Sequence, residues 1–255
     1  MILETKQKLI HLADKYENSS FLEGDPSCYL RRYTKIVDVE VCSFIVAMLS
    51  FGRREQFLQK VKYILDLADS SCGSISQWLL QKKYLENFIC DSNRTCKFYR
   101  FYSYLDLCNL FEELSTILKE NSSLGEYLKK QYFALKQTNQ TDVLLSTVVS
   151  NAFKNSKIVP HGKTSANKRV NLFLRWMVRQ NSPVDLGIWN WYSSENLVIP
   201  LDVHVICEAQ KLNLLPQNAT ANAKSAILLT DELKQIWPKD PCKGDFALFG
   251  LGIDS

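Results

Sequence analysis

Asn167-Lys168-Arg169-Val170-Asn171-Leu172-Phe173-Leu174-Arg175 is the stretch from which the fold is read. Val170, Phe173, Leu174 and Met177 recur at i, i+3, i+4 and i+7, the spacing of one face of a helix. Lys168 stands at the start of that helix. The positive end of the helix dipole acts there against a charged amine, and partial burial would act the same way. A neutral amine is what nucleophilic catalysis requires, although a lone lysine at a helix start is more often a surface residue.

A second segment lies downstream: Ile199-Pro200-Leu201-Asp202-Val203-His204-Val205. Pro200 keeps the residue before it extended, and Asp202 falls at the N-cap of the next helix. Capping alone would account for Asp202.

Working outward, helical spacing prevails. Val41, Phe44, Ile45, Met48 and Leu49 predict an amphipathic helix over 39–49 with Asp38 as its N-cap. Further helices are expected near the N-terminus, at 55–68, 97–119, 124–135, 141–153, from 170, from 203 toward Leu212, and from about 221 to 236, before Pro238. No run alternates as a strand does. Segments 69–76 and 154–167 are the weakest, polar and rich in Ser, Asn or Lys. The expectation is an all-α chain, 1–255 forming a single helical body with two lobes, the chemistry lying in about 154–212.

Composition narrows the function. Hydrophobic residues at 46% and charged residues at 23% describe a globular chain, and a net charge of +4 permits a nucleic-acid partner without demanding one. Of eight cysteines no pair has C-x-x-C spacing, so a zinc or redox motif is excluded and most thiols are expected to be reduced and buried. With no signal peptide and no apolar run near the ~18 residues of a membrane span, a cytoplasmic location is expected. The N-x-S/T matches at Asn18, Asn93, Asn121, Asn139 and Asn218 are then chance. Gly162-Lys163-Thr164 is no P-loop, because position 157 is Lys and no strand precedes it. The three histidines form no i, i+4 pair, so His161 and His204 are not expected to hold a metal with Asp202. Trp176, Trp189 and Trp191 are expected in the core rather than stacked on bases.

No acidic residue occurs between Asp142 and Asp185, whereas Lys154, Lys157, Lys163, Lys168, Arg169, Arg175 and Arg179 fall inside that gap. Such a stretch is either a field for phosphates or a solvated basic face. Arg53 and Arg54, after the helix at 39–49, are likewise either a pair for a guanine edge or base stack or simply exposed arginines.

Pro-Leu-Asp-Val-His-Val at 200–205 resembles the element that carries the catalytic aspartate in helix-hairpin-helix DNA glycosylases, the superfamily of endonuclease III and the 8-oxoguanine glycosylases. The Lys-x-x-Asn-x-Phe-Leu-Arg pattern from Lys168 resembles the helix that carries their nucleophilic lysine, and the order of the two matches. The wide separation in sequence is similar to that of the archaeal-type 8-oxoguanine enzymes. Ser50-Phe51-Gly52-Arg53-Arg54-Glu55-Gln56 and Asp245-Phe246-Ala247-Leu248-Phe249-Gly250-Leu251-Gly252 resemble an uncharacterised bacterial family distantly related to those glycosylases. That wider likeness covers most of the chain; the glycosylase likeness covers about 160–212.

The resemblance implies a base-excision glycosylase with abasic-site lyase activity on damaged double-stranded DNA, such as DNA carrying 8-oxoguanine. It implies two helical lobes with a cleft between them, a monomer, and no cofactor or metal. Lys168 would be the nucleophile and Asp202 its partner. Arg53, Arg54, Lys157, Gly162, Lys163 and Arg169 would meet the DNA, the turn at Arg53–Arg54 filling the gap left by a flipped base. Two departures stand out. Val159-Pro160-His161-Gly162-Lys163 has one glycine where the superfamily has Leu-Pro-Gly-x-Gly, and only Cys207 and Cys242 follow Asp202, so no iron–sulfur cluster is expected. Lys163 is the rival nucleophile; the residues after Lys168 match and those after Lys163 do not. The alternative is a non-catalytic DNA-binding protein that keeps the fold, or a helical scaffold for another protein.

Overall fold

The computed structural model describes residues 1–88, 96–138, 143–162 and 164–254. Helices carry the fold, as expected. The chain begins with α1 (Leu3–Tyr16) and then builds a middle unit, Cys28–Pro160. That unit holds α2 (Ile36–Leu49), α3 (Arg54–Cys72), α4 (Ile75–Leu80), α5 (Tyr84–Asn87), the strands β1 (Lys97–Tyr99) and β2 (Tyr102–Ser103), α6 (Tyr104–Glu120), α7 (Leu124–Thr138) and α8 (Leu145–Ala152). A terminal unit, Met1–Ser27 with His161–Ser255, joins α1 to α9 (Lys168–Val178), α10 (Val203–Lys211), α11 (Ala223–Lys234) and α12 (Lys243–Asp254).

In the middle unit α2 is central, not amphipathic: every residue from Asp38 to Leu49 is buried. The i, i+3, i+4 reading caught one side of a helix that is covered on all sides. Nor does Asp38 cap it; Lys35 is the N-cap, and Asp38 lies in the first turn. Its Oδ1 accepts from Ser74 Oγ at 2.7 Å and from the Ser76 amide at 2.8 Å, at the start of α4. Glu40 Oε2 accepts from the Gly125 amide at 2.8 Å, in the first turn of α7. Buried carboxylates need such donors. Two acids on one buried helix thus fix where two neighbouring helices begin.

The expected helix over 97–119 begins only at Tyr104. Lys97–Ser103 is instead an antiparallel hairpin with Arg100 at its tip in the left-handed region, φ 51°. Aromatic residues favour the pleated surface. A capping box then blocks the helix from growing backwards: Ser103 Oγ accepts from the Asp106 amide, and Asp106 Oδ2 accepts from the Ser103 amide at 2.8 Å.

The terminal unit is built on a core of Leu9, Leu12 and Ala13 from α1, Val205, Ile206 and Ala209 from α10, Leu229 and Leu233 from α11, and Ala247 and Leu248 from α12. The helix α12 packs against α1 and α10. A Cβ at Gly250 would run into the Tyr16 ring, which explains one glycine of the Asp245–Gly252 motif by close helix approach. Trp176 and Trp189 are in the core, as expected, and Trp191, half-buried, stacks on Trp189. The expectation that most cysteines are buried fails. Of the seven described, Cys42, Cys108 and Cys242 are buried, whereas Cys28, Cys96 and Cys207 lie on exposed positions. Among the described residues no helix is long and apolar enough to cross a membrane.

Candidate functional site

Residues 164–167 place Lys168. The Ala223 amide donates to Thr164 O at 2.9 Å and Ser165 bridges Asn222, tying this segment to the start of α11. Asn167 then turns in the left-handed conformation, φ 47°, and its carbonyl accepts the first helical bond from the Asn171 amide at 2.9 Å. Asparagine tolerates this conformation better than most residues. Asn171 is buried and its Nδ2 donates to Ala166 O at 3.0 Å, so the asparagine of the lysine pattern holds the turn that delivers Lys168.

Asp202 is delivered from the other side. Leu201 is buried, Asp202 is the N-cap of α10, and its Oδ1 accepts from the Val205 amide at 2.9 Å. That leaves Oδ2 for Lys168, whose Nζ donates to it at 2.5 Å. The side chains are 38% and 26% exposed, so the pair is partly buried and still reaches solvent. Burial pushes the Asp202 carboxyl up, but the charge and hydrogen bond of Lys168, the Val205 amide and the charge of His204 outweigh it and hold it below the usual carboxylate range. The short contact gives a proton a path from Lys168 Nζ to Asp202, against the pull of the ion pair. His204 itself is exposed in the first turn of α10.

The basic stretch divides. Arg175 and Arg179 are only 3% and 2% exposed at their side chains. Arg175 pairs with Asp245 and, at 3.2 Å, with Asp185; Arg179 reaches Asp185 at 2.5 Å, Asp240 at 2.8 Å and Glu17 at 2.8 Å. These two arginines are structural and add nothing to a surface field. Asp185 at the edge of the gap and Glu17, Asp240 and Asp245 from distant sequence neutralise them, so a gap free of acids in the chain is not one in space. Lys157 is exposed, with Nζ 3.6 Å from the Asp106 carboxylate that caps α6. Lys154 is exposed and Arg169 half-buried. Gly162 is exposed at φ 104°, with open space where a Cβ would stand. Lys163 lies outside the described residues.

In the middle unit Arg53 caps α3 and Arg54 opens it, both exposed. The structure adds what sequence reading missed. Tyr99 Oη donates to Phe51 O at 2.7 Å, and a Cβ at Gly52 would come within 2.6 Å of that hydroxyl and 2.9 Å of the Arg100 side chain. The turn at 50–53 and the hairpin are therefore locked together. Phe101, 71% exposed, packs edge-on to Tyr102 with centroids 4.6 Å apart and tilts on Phe51 at 5.3 Å. Arg53 and Arg54, which follow Gly52 in the chain, and Arg100 and Phe101 of the hairpin are thus exposed on either side of this locked turn. Its signal in the sequence was the aromatic run Phe98–Tyr102.

Among the described residues no group of three His, Cys, Asp or Glu side chains could hold a metal ion.

A family model described as "Protein of unknown function (DUF2400)" matches residues 25–254, and the chain belongs to that family. No curated protein and no solved structure matches it.

Proposed function

We propose that this member of the family is a DNA glycosylase with abasic-site lyase activity, of the helix-hairpin-helix type, acting on double-stranded DNA that carries an oxidised purine such as 8-oxoguanine. The observation that carries the reading is the contact between Lys168 and Asp202, residues 34 apart in sequence that meet at 2.5 Å. Neither DNA binding nor scaffolding needs that pair.

The target nucleotide must leave the base stack to be reached. Asp202 accepts a proton from Lys168, and the free amine attacks C1′ of the deoxyribose. The bond from C1′ to the base breaks, and the base departs with the bonding electrons and takes up a proton. The proton the base takes up comes from Asp202, and the carboxylate so restored stabilises the positive charge that develops on the sugar. The ring then opens: O4′ leaves C1′ with the bonding electrons and takes a proton from the attached lysine nitrogen, which becomes an iminium. Loss of a proton from C2′ then expels the 3′ phosphate and cuts the strand by β-elimination. This sequence uses only side chains and calls for no cofactor. Arg169 and Gly162, near Lys168 in the chain, suit phosphate contact, and Arg53, Arg54, Arg100 and Phe101 suit a strand with an unstacked base.

Borohydride trapping on an oligonucleotide carrying 8-oxoguanine or an abasic site tests the reading. A covalent adduct that depends on Lys168 is expected. Binding without an adduct would leave a non-catalytic DNA-binding protein.

A further inference from the structure

Asp245 is a buried carboxylate that the proposed chemistry does not use. It lies in the first turn of α12, its side chain 12% exposed, and Arg175 donates to its Oδ2. Arg175 and Lys168 are both on α9, seven residues and two turns apart, hence on one face. The other wall is α10, which begins at Asp202 and packs on α12. Asp245 is thus tied through Arg175 to the lysine helix, on a helix that packs against the one Asp202 caps.

Its surroundings are charged on each side. Lys168 and Arg175 act on it from α9 and Asp202 from the cap of α10. Arg175 is shared with Asp185, and Arg179 with Asp185 and Asp240, so both arginines are already matched by other acids. Cys242, three residues before Asp245, is a buried thiol pushed up by burial and is not a charge. Burial pushes the Asp245 carboxyl up against the pull of Arg175, with Asp202 adding to the rise and Lys168 opposing it. Coulombic action is reciprocal: Asp245 pulls on the Lys168 ammonium and pushes on the Asp202 carboxylate as strongly as they act on it.

We propose that Asp245 is a positioning residue for the Lys168–Asp202 pair, a carboxylate clamped by Arg175 whose charge sets how firmly that pair holds its proton. Its functional meaning rests on the reading of Lys168 and Asp202 as the reacting groups. Its physical content does not.

Asp245→Asn removes a negative charge and keeps the shape. The acid limb of the trapping rate against pH then moves to lower pH by about half a unit or more, the size of one nearby charge acting through a partly screened medium. Asp245→Glu keeps the charge and should keep the limb. A limb that stays in place in Asp245→Asn, with only the plateau lowered, would mean a merely structural residue and overturn the proposal. A second measurement needs neither DNA nor a folded variant. In the wild-type protein, carbon-13 titration of the aspartate carboxyls should show the Asp202 and Asp245 resonances each carrying an inflection from the other. Two independent single-step titrations would overturn the proposal. If the wild type traps nothing, the glycosylase reading fails and the carboxyl titration still decides the role of Asp245.

Discussion

Lys168→Gln keeps a polar side chain at the first position of α9 but has no amine to form an iminium, so borohydride trapping and strand cleavage should vanish while folding persists. The lost ion pair is half-exposed, and such a pair contributes at most about 1 kcal/mol. Asp202→Asn keeps an oxygen to accept from the Val205 amide and so keeps the cap of α10. It should bind DNA as before and release base slower by about 10²-fold or more, read in single-turnover assays. The same carboxylate gives a pH signature. Its folded titration lies below that of the unfolded chain, so its contribution to stability is complete above about pH 3.9, the unfolded value, and is lost as pH falls through the lower folded one. Urea unfolding below pH 4 should therefore show a shallower acid-side fall in Asp202→Asn than in the wild type. Both residues were legible in the sequence because each has a local signature: a helix start with Asn171 behind it, and Pro200-Leu201-Asp202 before a helix. Asp245 was visible only as part of a motif. What gives it meaning is Arg175, 70 residues away, and no spacing rule announces that contact.

At the scale of elements, the helices were legible wherever one face is wet and one dry, as in α7, where Leu124, Leu128 and Tyr132 are buried and most of the other positions are exposed. Reading failed where that contrast is missing or reversed. In α2 it found an amphipathic helix because periodic apolar residues look alike whether or not the opposite face is also covered. In 97–103 it missed a hairpin because seven residues are too few to show alternation and the helix that follows is strong. It also read Arg175 and Arg179 as surface charge, since arginine is rarely buried and their partners are scattered along the chain. The correction has an energetic consequence. Arg179 holds Asp185, Asp240 and Glu17, and removing it strands the buried Glu17 and leaves Asp185 to Arg175 alone. Arg179→Met should destabilise the terminal unit by about 3–5 kcal/mol, measured by chemical denaturation. A loss under about 1 kcal/mol would mean the network is solvated in solution. Phe101→Ala should do the opposite: no change in melting beyond about 1 kcal/mol, since the ring is exposed, with a fall in affinity for DNA carrying an unpaired base.

For the whole molecule, the question is how much positive charge is offered to DNA. A net charge of +4 left that open, and the sequence count of seven basic residues between Lys154 and Arg179 overstated it. Two of the seven are neutralised in the interior, Lys168 faces Asp202, and Lys157 has Asp106 at 3.6 Å. What remains exposed is distributed, with Lys154 and the set Arg53, Arg54 and Arg100 in the middle unit. Each phosphate neutralised contributes about 0.9 to the slope of log K against log salt. If the exposed arginines of the turn and the hairpin meet the backbone, replacing Arg53, Arg54 and Arg100 together by glutamine should flatten the slope by about 2 to 3 and weaken binding alike on damaged and undamaged duplexes. Replacing Lys157 and Arg169 together should flatten it by less than 2, because Lys157 must exchange Asp106 for phosphate and gains only the difference. A triple-arginine variant with the wild-type slope would place the DNA elsewhere, while leaving the Lys168–Asp202 chemistry to be judged by trapping alone.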